Sequence, residues 1–387
     1  MSIVHNPSLS RRTLVAAAAG LGLAALVSPV LIGSLTRDKG IAFAGETPET
    51  VTITCLNGAK EAIELEVPFD PPRIAILDLA SLDILDSLGV GDRVVGMAST
   101  SIDYLSSYSE NTDLVPLGTI KEADLEAVME CEPDVIFIGG RLSSMYDDLS
   151  QIAPVVFLQT DTAADGKGVI ESVRDNATTI ASMFGLEDEI ASKMEAFDQR
   201  IAALQEFSAG KTAVVGMCTS GSFNVLGNDG RCSIIGREIR FDNVAAGAAA
   251  EQGGQGHGQG GSGEHGGKPE GAGEQGDGQG QGEGKSGSGE AVAAVTATHG
   301  NEASFETIVS LDPDYIFVMD RDAAIGTEGA QLAREIMDNE LVQSMRAYQD
   351  DHIVYLEHPN VWYTAEGGIT ALDYMLADLE QGLGLSK

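Results

Sequence analysis

Basic residues are scarce in this 387-residue chain. Twenty-three Lys and Arg stand against 59 Asp and Glu, for a formal charge of −36. That balance argues against nucleic acid or anionic membrane surfaces as partners for the body of the protein, and it favours solubility. Cysteine is equally sparse. Cys55, Cys131, Cys218 and Cys232 form no CxxC or Cys/His spacing, so no zinc site is expected. A bare-metal site needs three or four clustered ligands, yet only His299, His352 and His358 fall in stretches that can fold, all in the second half. There is no Walker loop and no dinucleotide fingerprint after a strand. There is also no strand–Ser–helix elbow, the Gly-x-Ser-like strings being confined to a glycine tract. These absences point away from an enzyme.

Two segments lack what a core requires. Glu251 to Glu290 contains 18 of the 47 glycines and no Val, Ile, Leu, Met or aromatic residue. With nothing to bury, it is expected to be a flexible insertion, and its length adds little closure entropy. His257 and His265 within it are isolated and weak as metal ligands. At the other extreme, Ser10-Arg11-Arg12 precedes an apolar Ala/Gly-rich run from Leu14 to Leu35, followed by Ala42-Phe43-Ala44. This is the layout of a twin-arginine export signal with a small-x-small cleavage site, expected over 1–44. An uncleaved anchor is the other reading, since about 20 apolar residues can span a bilayer. No Cys closely follows the run, so the usual lipid attachment is missing.

Export permits disulfides. Two cysteines in each half suit one bridge per lobe, Cys55–Cys131 and Cys218–Cys232, with buried free thiols as the alternative.

From Thr50 to Val67 apolar and polar residues alternate around Asn57-Gly58, a hairpin signal. From Arg73 strands and helices alternate, which predicts an α/β lobe with a mostly parallel sheet over 45–166. Two helical stretches with no strand between them follow over 167–208. Their apolar faces carry Val173, Ala177, Ile180, Ala181 and Phe184, then Ile190, Met194, Phe197, Ile201 and Leu204. The alternation restarts at Lys211, giving a second α/β lobe over 209–387 that is interrupted by 251–290. Within it, Glu328–Met345 reads as one helix. The expected fold is two α/β lobes joined by a long helical connector, with a ligand cleft between them.

One unit occurs in both lobes. EAVMECEPDVIFIGGR (126–141) and ETIVSLDPDYIFVMDR (306–321) share Glu, Pro, Asp, Ile, Phe and Arg at identical offsets, 180 residues apart. Each reads as a helix, a Pro-Asp stop, an apolar strand and a loop opened by arginine. Ligands sit at the carboxyl ends of strands in open parallel sheets, so Arg141 and Arg321 are expected to converge on the cleft. Glu126 and Glu306 are expected to begin their helices, where an acid is favoured by the helix dipole. Their matched placement also suits two acidic contacts to one symmetric partner.

With the lead-in HGNEASFETIVSLDPDYIFVMDR, GNDGRCSIIG and HPNVWYTAEGGITAL, the chain from about Arg73 onward resembles the substrate-binding proteins of iron–siderophore and cobalamin ABC importers. It is most similar to the branch that binds catecholate siderophores of the enterobactin and petrobactin type. The resemblance implies three cleft arginines that neutralise an anionic ferric catecholate, falling on Arg141, Arg231 and Arg321. It implies a histidine and a tyrosine that complete iron coordination, falling on His299 and Tyr363. Where the family often has Tyr-Trp-Tyr this chain has Val361-Trp362-Tyr363, so a ligand at the first position would be lost. It also implies that Glu126 and Glu306 dock an ABC permease dimer. The cargo is then ferric iron carried as a siderophore complex, with no intrinsic cofactor. Haem, cobalamin and a ligand-sensing adaptor role are the rival readings. Each residue also has a structural alternative: Arg231 as a loop cation near Asp229, His299 bonded to a backbone carbonyl, Tyr363 as packed core.

Overall fold

The computed structural model describes residues 49–247 and 300–386, with side chains in the second span from Phe305. The expected export signal, the glycine-rich insertion and His299 lie outside the described residues.

The hairpin forms as the alternation predicts. Thr50–Leu56 pairs antiparallel with Ala62–Pro68. The loop is five residues long rather than a two-residue Asn-Gly turn, because Asn57 Oδ1 accepts from both Ala59 and Glu61 N–H and closes a wider turn. The hairpin flanks a seven-stranded sheet that continues through Val155–Phe157, Val135–Ile138, Ile74–Leu77, Val94–Met97 and Val115–Pro116. Those five strands run parallel to one another. Ile74–Leu77 has the next strand in sequence, Val94–Met97, on one side and Val135–Ile138 on the other. That is a topological switch point, where loops diverge and leave a crevice.

The second sheet orders Ser222–Val225, Thr212–Thr219, Tyr315–Asp320 and Ile353–Tyr355, with Asp242–Asn243 also pairing Thr212–Thr219. Its pairings are parallel apart from the Ser222–Val225 edge.

The connector helices Val169–Ser182 and Glu187–Ser208 bury the faces that their periodicity marks, Phe184 lying half-buried just past the first. The closing helix Ile369–Gly382 packs against both of them and against Leu79–Ser87. Asp83, fully buried on Leu79–Ser87, accepts from the N–H groups of Thr370 and Ala371 at 2.8 Å and from Tyr104 Oη at 2.9 Å. A carboxylate from the first lobe thus caps the last helix of the chain, satisfying donors a helix start leaves open. One apolar cluster, containing Ile74, Phe137, Val215, Phe317, Trp362 and Leu372, runs continuously through both sheets. Two smaller clusters complete the core, one in each sheet.

Three expectations need correction. The stretch expected as one helix over Glu328–Met345 holds two short helices, Ala333–Met337 and Glu340–Gln343, with a third, Arg346–Gln349, just beyond. Asn339 adopts an extended backbone and caps the next turn through Leu341 and Val342 N–H, which stops the helix. The helix carrying Glu306 spans Gly300–Leu311, so Glu306 lies mid-helix. The dipole argument therefore holds for Glu126, in the first turn of Leu125–Glu130, and fails for Glu306. Finally, the four cysteines are free and buried, not bridged. Cys55 and Cys131 belong to different apolar clusters, and so do Cys218 and Cys232, so neither proposed pair meets.

Candidate functional site

Strand ends supply the site. Past Val135–Ile138 the chain turns through Gly139 into the 3-10 segment Gly140–Met145, which presents Arg141. A Cβ at Gly139 would meet Asp78 Oδ1 at 2.4 Å, so a larger residue there would displace the Asp78 carboxylate. Asp78 directly follows the neighbouring strand at the switch point and caps Leu79–Ser87 through Ser81 N–H. Arg141 is exposed at the crevice. Loss of hydration, then the charge of Arg231, draws its pKa down, while Tyr363 and Asp78 oppose that shift.

Across from it, Tyr315–Asp320 runs directly into the short helix Arg321–Ala324. Asp320 caps this turn through Ala323 N–H and also holds Ala333 N–H, which fixes the backbone of Arg321. The Arg321 guanidinium donates to Tyr363 Oη at 3.1 Å and to Thr219 Oγ1 at 3.3 Å, and lies 3.5 Å from buried Asp322. Arg231 arrives from the loop after Ser222–Val225. It donates to the Tyr363 carbonyl at 2.6 Å and stacks its guanidinium 3.9 Å from the centre of the Tyr363 ring. Tyr363 itself stands on Pro359–Thr364, a helix opened by Pro at its first position.

Two arginines of the second lobe therefore contact one phenol, and the charge of Arg141 from the first lobe also acts on it. Burial would raise the Tyr363 pKa. The Arg321 hydrogen bond and the charges of Arg231, Arg321 and Arg141 outweigh it and hold the group below its ordinary value. Lowering the pKa of a phenol favours its phenolate form, the form in which hard cations accept it. Among the described residues neither Arg141 nor Arg231 has a carboxylate at ion-pair distance, so both retain capacity for an external anion.

The remaining candidates separate. Glu126 and Glu306 are exposed and outside this cluster. Val361 is buried and Trp362 fully so, its indole donating to Asp378 at 2.9 Å. His358 also engages Asp378, at 2.7 Å, while His352 stacks on Tyr315 and faces the Asp314 carbonyl. Among the described residues no group of three or more His, Cys, Asp or Glu is arranged to hold a bare metal ion. Sequence reasoning missed Thr219 and Asp78. Both close or directly follow a strand at the cleft end, and the strand-end rule that found Arg141 applies to them equally.

The sequence profile of periplasmic binding proteins matches residues 74–263 and 288–359. The chain belongs to that family. The chain is 28% identical over 367 residues to the petrobactin-binding protein YclQ of Bacillus subtilis, covering 93% of this chain and 96% of YclQ. The crystal structure of YclQ superposes with a TM-score of 0.65 at 26% identity, covering 86% of this chain and 99% of that one. A TroA-like periplasmic binding protein from Xylanimonas cellulosilytica gives 0.65 at 28% identity, covering 87% and 99%. The catecholate-siderophore binding protein VctP of Vibrio cholerae gives 0.64 at 24%, covering 86% and 100%, a likeness of fold alone. The family's two-lobe α/β architecture with mostly parallel sheets is the one seen here.

Proposed function

We propose that this protein captures an anionic ferric siderophore of the catecholate type outside the cytoplasm and delivers it to an ABC permease dimer, without a catalytic step of its own. The observation that carries the reading is the gathering of Arg231 and Arg321 on Tyr363 with the charge of Arg141 acting on it from the first lobe, Arg141 and Arg231 having no carboxylate at ion-pair distance among the described residues. Fixed planar guanidinium forks suit catecholate oxygens, and the likeness to a petrobactin-binding protein supports the cargo class. In this reading the arginines hold the complex. Tyr363, with His299, fills iron sites that a tetradentate siderophore leaves open.

Export through the twin-arginine signal over 1–44 belongs to the same proposal, as does docking through Glu126 and Glu306. So do the lobe boundaries 45–166, 167–208 and 209–387, with an insertion at 251–290. Glu126 shares its helix with Met129, an exposed apolar side chain beside a groove of about 640 Å³ lined also by Leu125, Pro133 and Ile152. That surface suits a protein contact.

The test is a titration of the mature protein with ferric petrobactin, a ferric hydroxamate, haem and cobalamin, read by fluorescence. Trp362 is buried but adjacent in sequence to Tyr363, so a ferric complex in the cleft should quench it without touching it. Saturable quenching by the catecholate complex alone is expected. Preference for haem or cobalamin would overturn the reading.

A further inference from the structure

Behind Arg231 lies a carboxyl group that lacks a full set of partners. Glu366 sits in the turn between Pro359–Thr364 and the closing helix. Its backbone carbonyl accepts from Thr160 Oγ1 of the first lobe at 3.2 Å, which places it at the junction of the lobes. Its Oε1 is sealed from solvent and accepts no hydrogen bond, and the backbone N–H of Cys232 is the polar group facing the carboxyl. The charged and titratable groups around it are Arg231, the Cys232 thiol and Glu238. Glu238 is committed elsewhere: Oε1 takes Val169 N–H at 2.7 Å, Arg237 lies beside it, and Oε2 is buried without a partner. Arg231, for its part, spends its guanidinium on Tyr363 rather than on Glu366.

We propose that Glu366 sets the charge of the arginine cage, and that seating an anionic ligand on Arg231 drives uptake of one solvent proton onto the Glu366 carboxylate. This deepens the siderophore reading and rests on it. Burial pushes the Glu366 pKa up to about 8, with Arg231 opposing and Glu238 reinforcing the rise. An anion on Arg231 cancels the positive charge that favours the carboxylate, so the liganded state holds the proton more tightly than the empty one. By linkage, protonation then favours binding to the same extent. Below about pH 7 the empty protein already carries the proton and affinity is flat. Above about pH 8 each pH unit weakens binding by up to about tenfold. The device also selects for charge, because a neutral ligand leaves Arg231 unopposed and takes up no proton.

The experiment measures the Kd of ferric petrobactin at pH 7 and pH 9 for the wild type and for Glu366→Gln, an uncharged isostere of the protonated acid. The wild type should weaken about tenfold over that interval, taking up about 0.9 proton at pH 9 and about 0.1 at pH 7 by calorimetry in buffers of different ionisation enthalpy. Ligand protonation is common to both proteins, so the difference isolates Glu366. The variant should lose the slope. A variant with the wild-type slope, or a wild type that takes up no proton at pH 9, overturns the proposal. If no ferric catecholate binds at any pH the cargo reading fails, and the charge assignment is decided on the empty protein. There the Glu366 carboxyl ¹³C resonance, identified by its loss in Glu366→Gln, should titrate near pH 8. Titration in the ordinary carboxylate range overturns it.

Discussion

Replacing Arg321 by alanine removes a guanidinium that is two-thirds buried and held by three groups at once: Tyr363 Oη, Thr219 Oγ1 and Asp322. Truncating one partner of a desolvated charge pair costs about 2–5 kcal/mol. Arg321 remains one-third exposed, so solvent screens part of its field and the lower end applies. About 2 kcal/mol is about a 30-fold rise in the Kd of an anionic ferric catecholate. With a tetradentate complex a second loss adds to this. Without the 3.1 Å hydrogen bond from Arg321 the Tyr363 phenol returns toward its ordinary pKa, which weakens it as a phenolate ligand. Arg141 is exposed, so Arg141→Ala should cost less, nearer the about 1 kcal/mol of a solvated pair and about fivefold in Kd. Isothermal titration with ferric petrobactin reads both variants, and a cationic ferric hydroxamate serves as the control that should gain nothing from either arginine. An Arg321→Ala protein that binds the catecholate as tightly as wild type would refute the cage. So would equal losses for the catecholate and the hydroxamate.

Tyr363→Phe should abolish the tyrosinate-to-iron charge-transfer absorption of a tetradentate ferric complex and weaken its binding, while sparing a hexadentate complex; absorption spectra and titrations of both decide it. Glu126→Ala and Glu306→Ala should bind ferric siderophore normally and impair uptake by cells, the double variant clearly more than either single one; normal uptake by all three removes the docking role. Arg11→Lys with Arg12→Lys should stop export of the folded protein, read by fractionation, and unimpaired export would reject the twin-arginine route. Deleting 251–290 should change the Kd by less than about tenfold, about 1.4 kcal/mol; a larger loss would make the insertion part of the binding site.

Much of the scaffold was legible because its signals are local. Asn57-Gly58 announced a hairpin, and the apolar periodicity of Val173–Ala181 and Ile190–Leu204 announced the connector helices. The errors arose where one side chain overrides a longer pattern. Asn339 breaks what reads as a single helix, and Glu306 is preceded by helical turns that its matched partner Glu126 lacks. The cysteines failed for a different reason. Their division between lobes is a fact about the chain, whereas bridging requires a shared cluster, and the sheets put the members of each pair into separate ones. Asp83 was not legible at all. Its partners Thr370 and Ala371 lie 287 and 288 residues away, and nothing local distinguishes this Asp from any other helical acid.

The repeated helix–strand–arginine unit acquires a physical rationale once the cluster around Tyr363 is considered. A single lobe could bring two arginines to one phenol, as Arg231 and Arg321 already do. A third guanidinium on the same lobe would have to be held permanently beside the other two, at a like-charge cost paid even when the cleft is empty. Placing Arg141 on the opposite sheet leaves part of it exposed, so water weakens, without removing, the repulsion from Arg231 that lowers its pKa. In the proposed siderophore reading, a doubly or triply negative complex recruits it by displacing that water. Glu366 serves the complementary need on the other side of Arg231, since an acid that can lose its charge neither cancels the cage nor leaves it wholly uncompensated. Repetition supplies the strand end that aims an arginine. The asymmetry between lobes supplies an empty cleft that tolerates three of them.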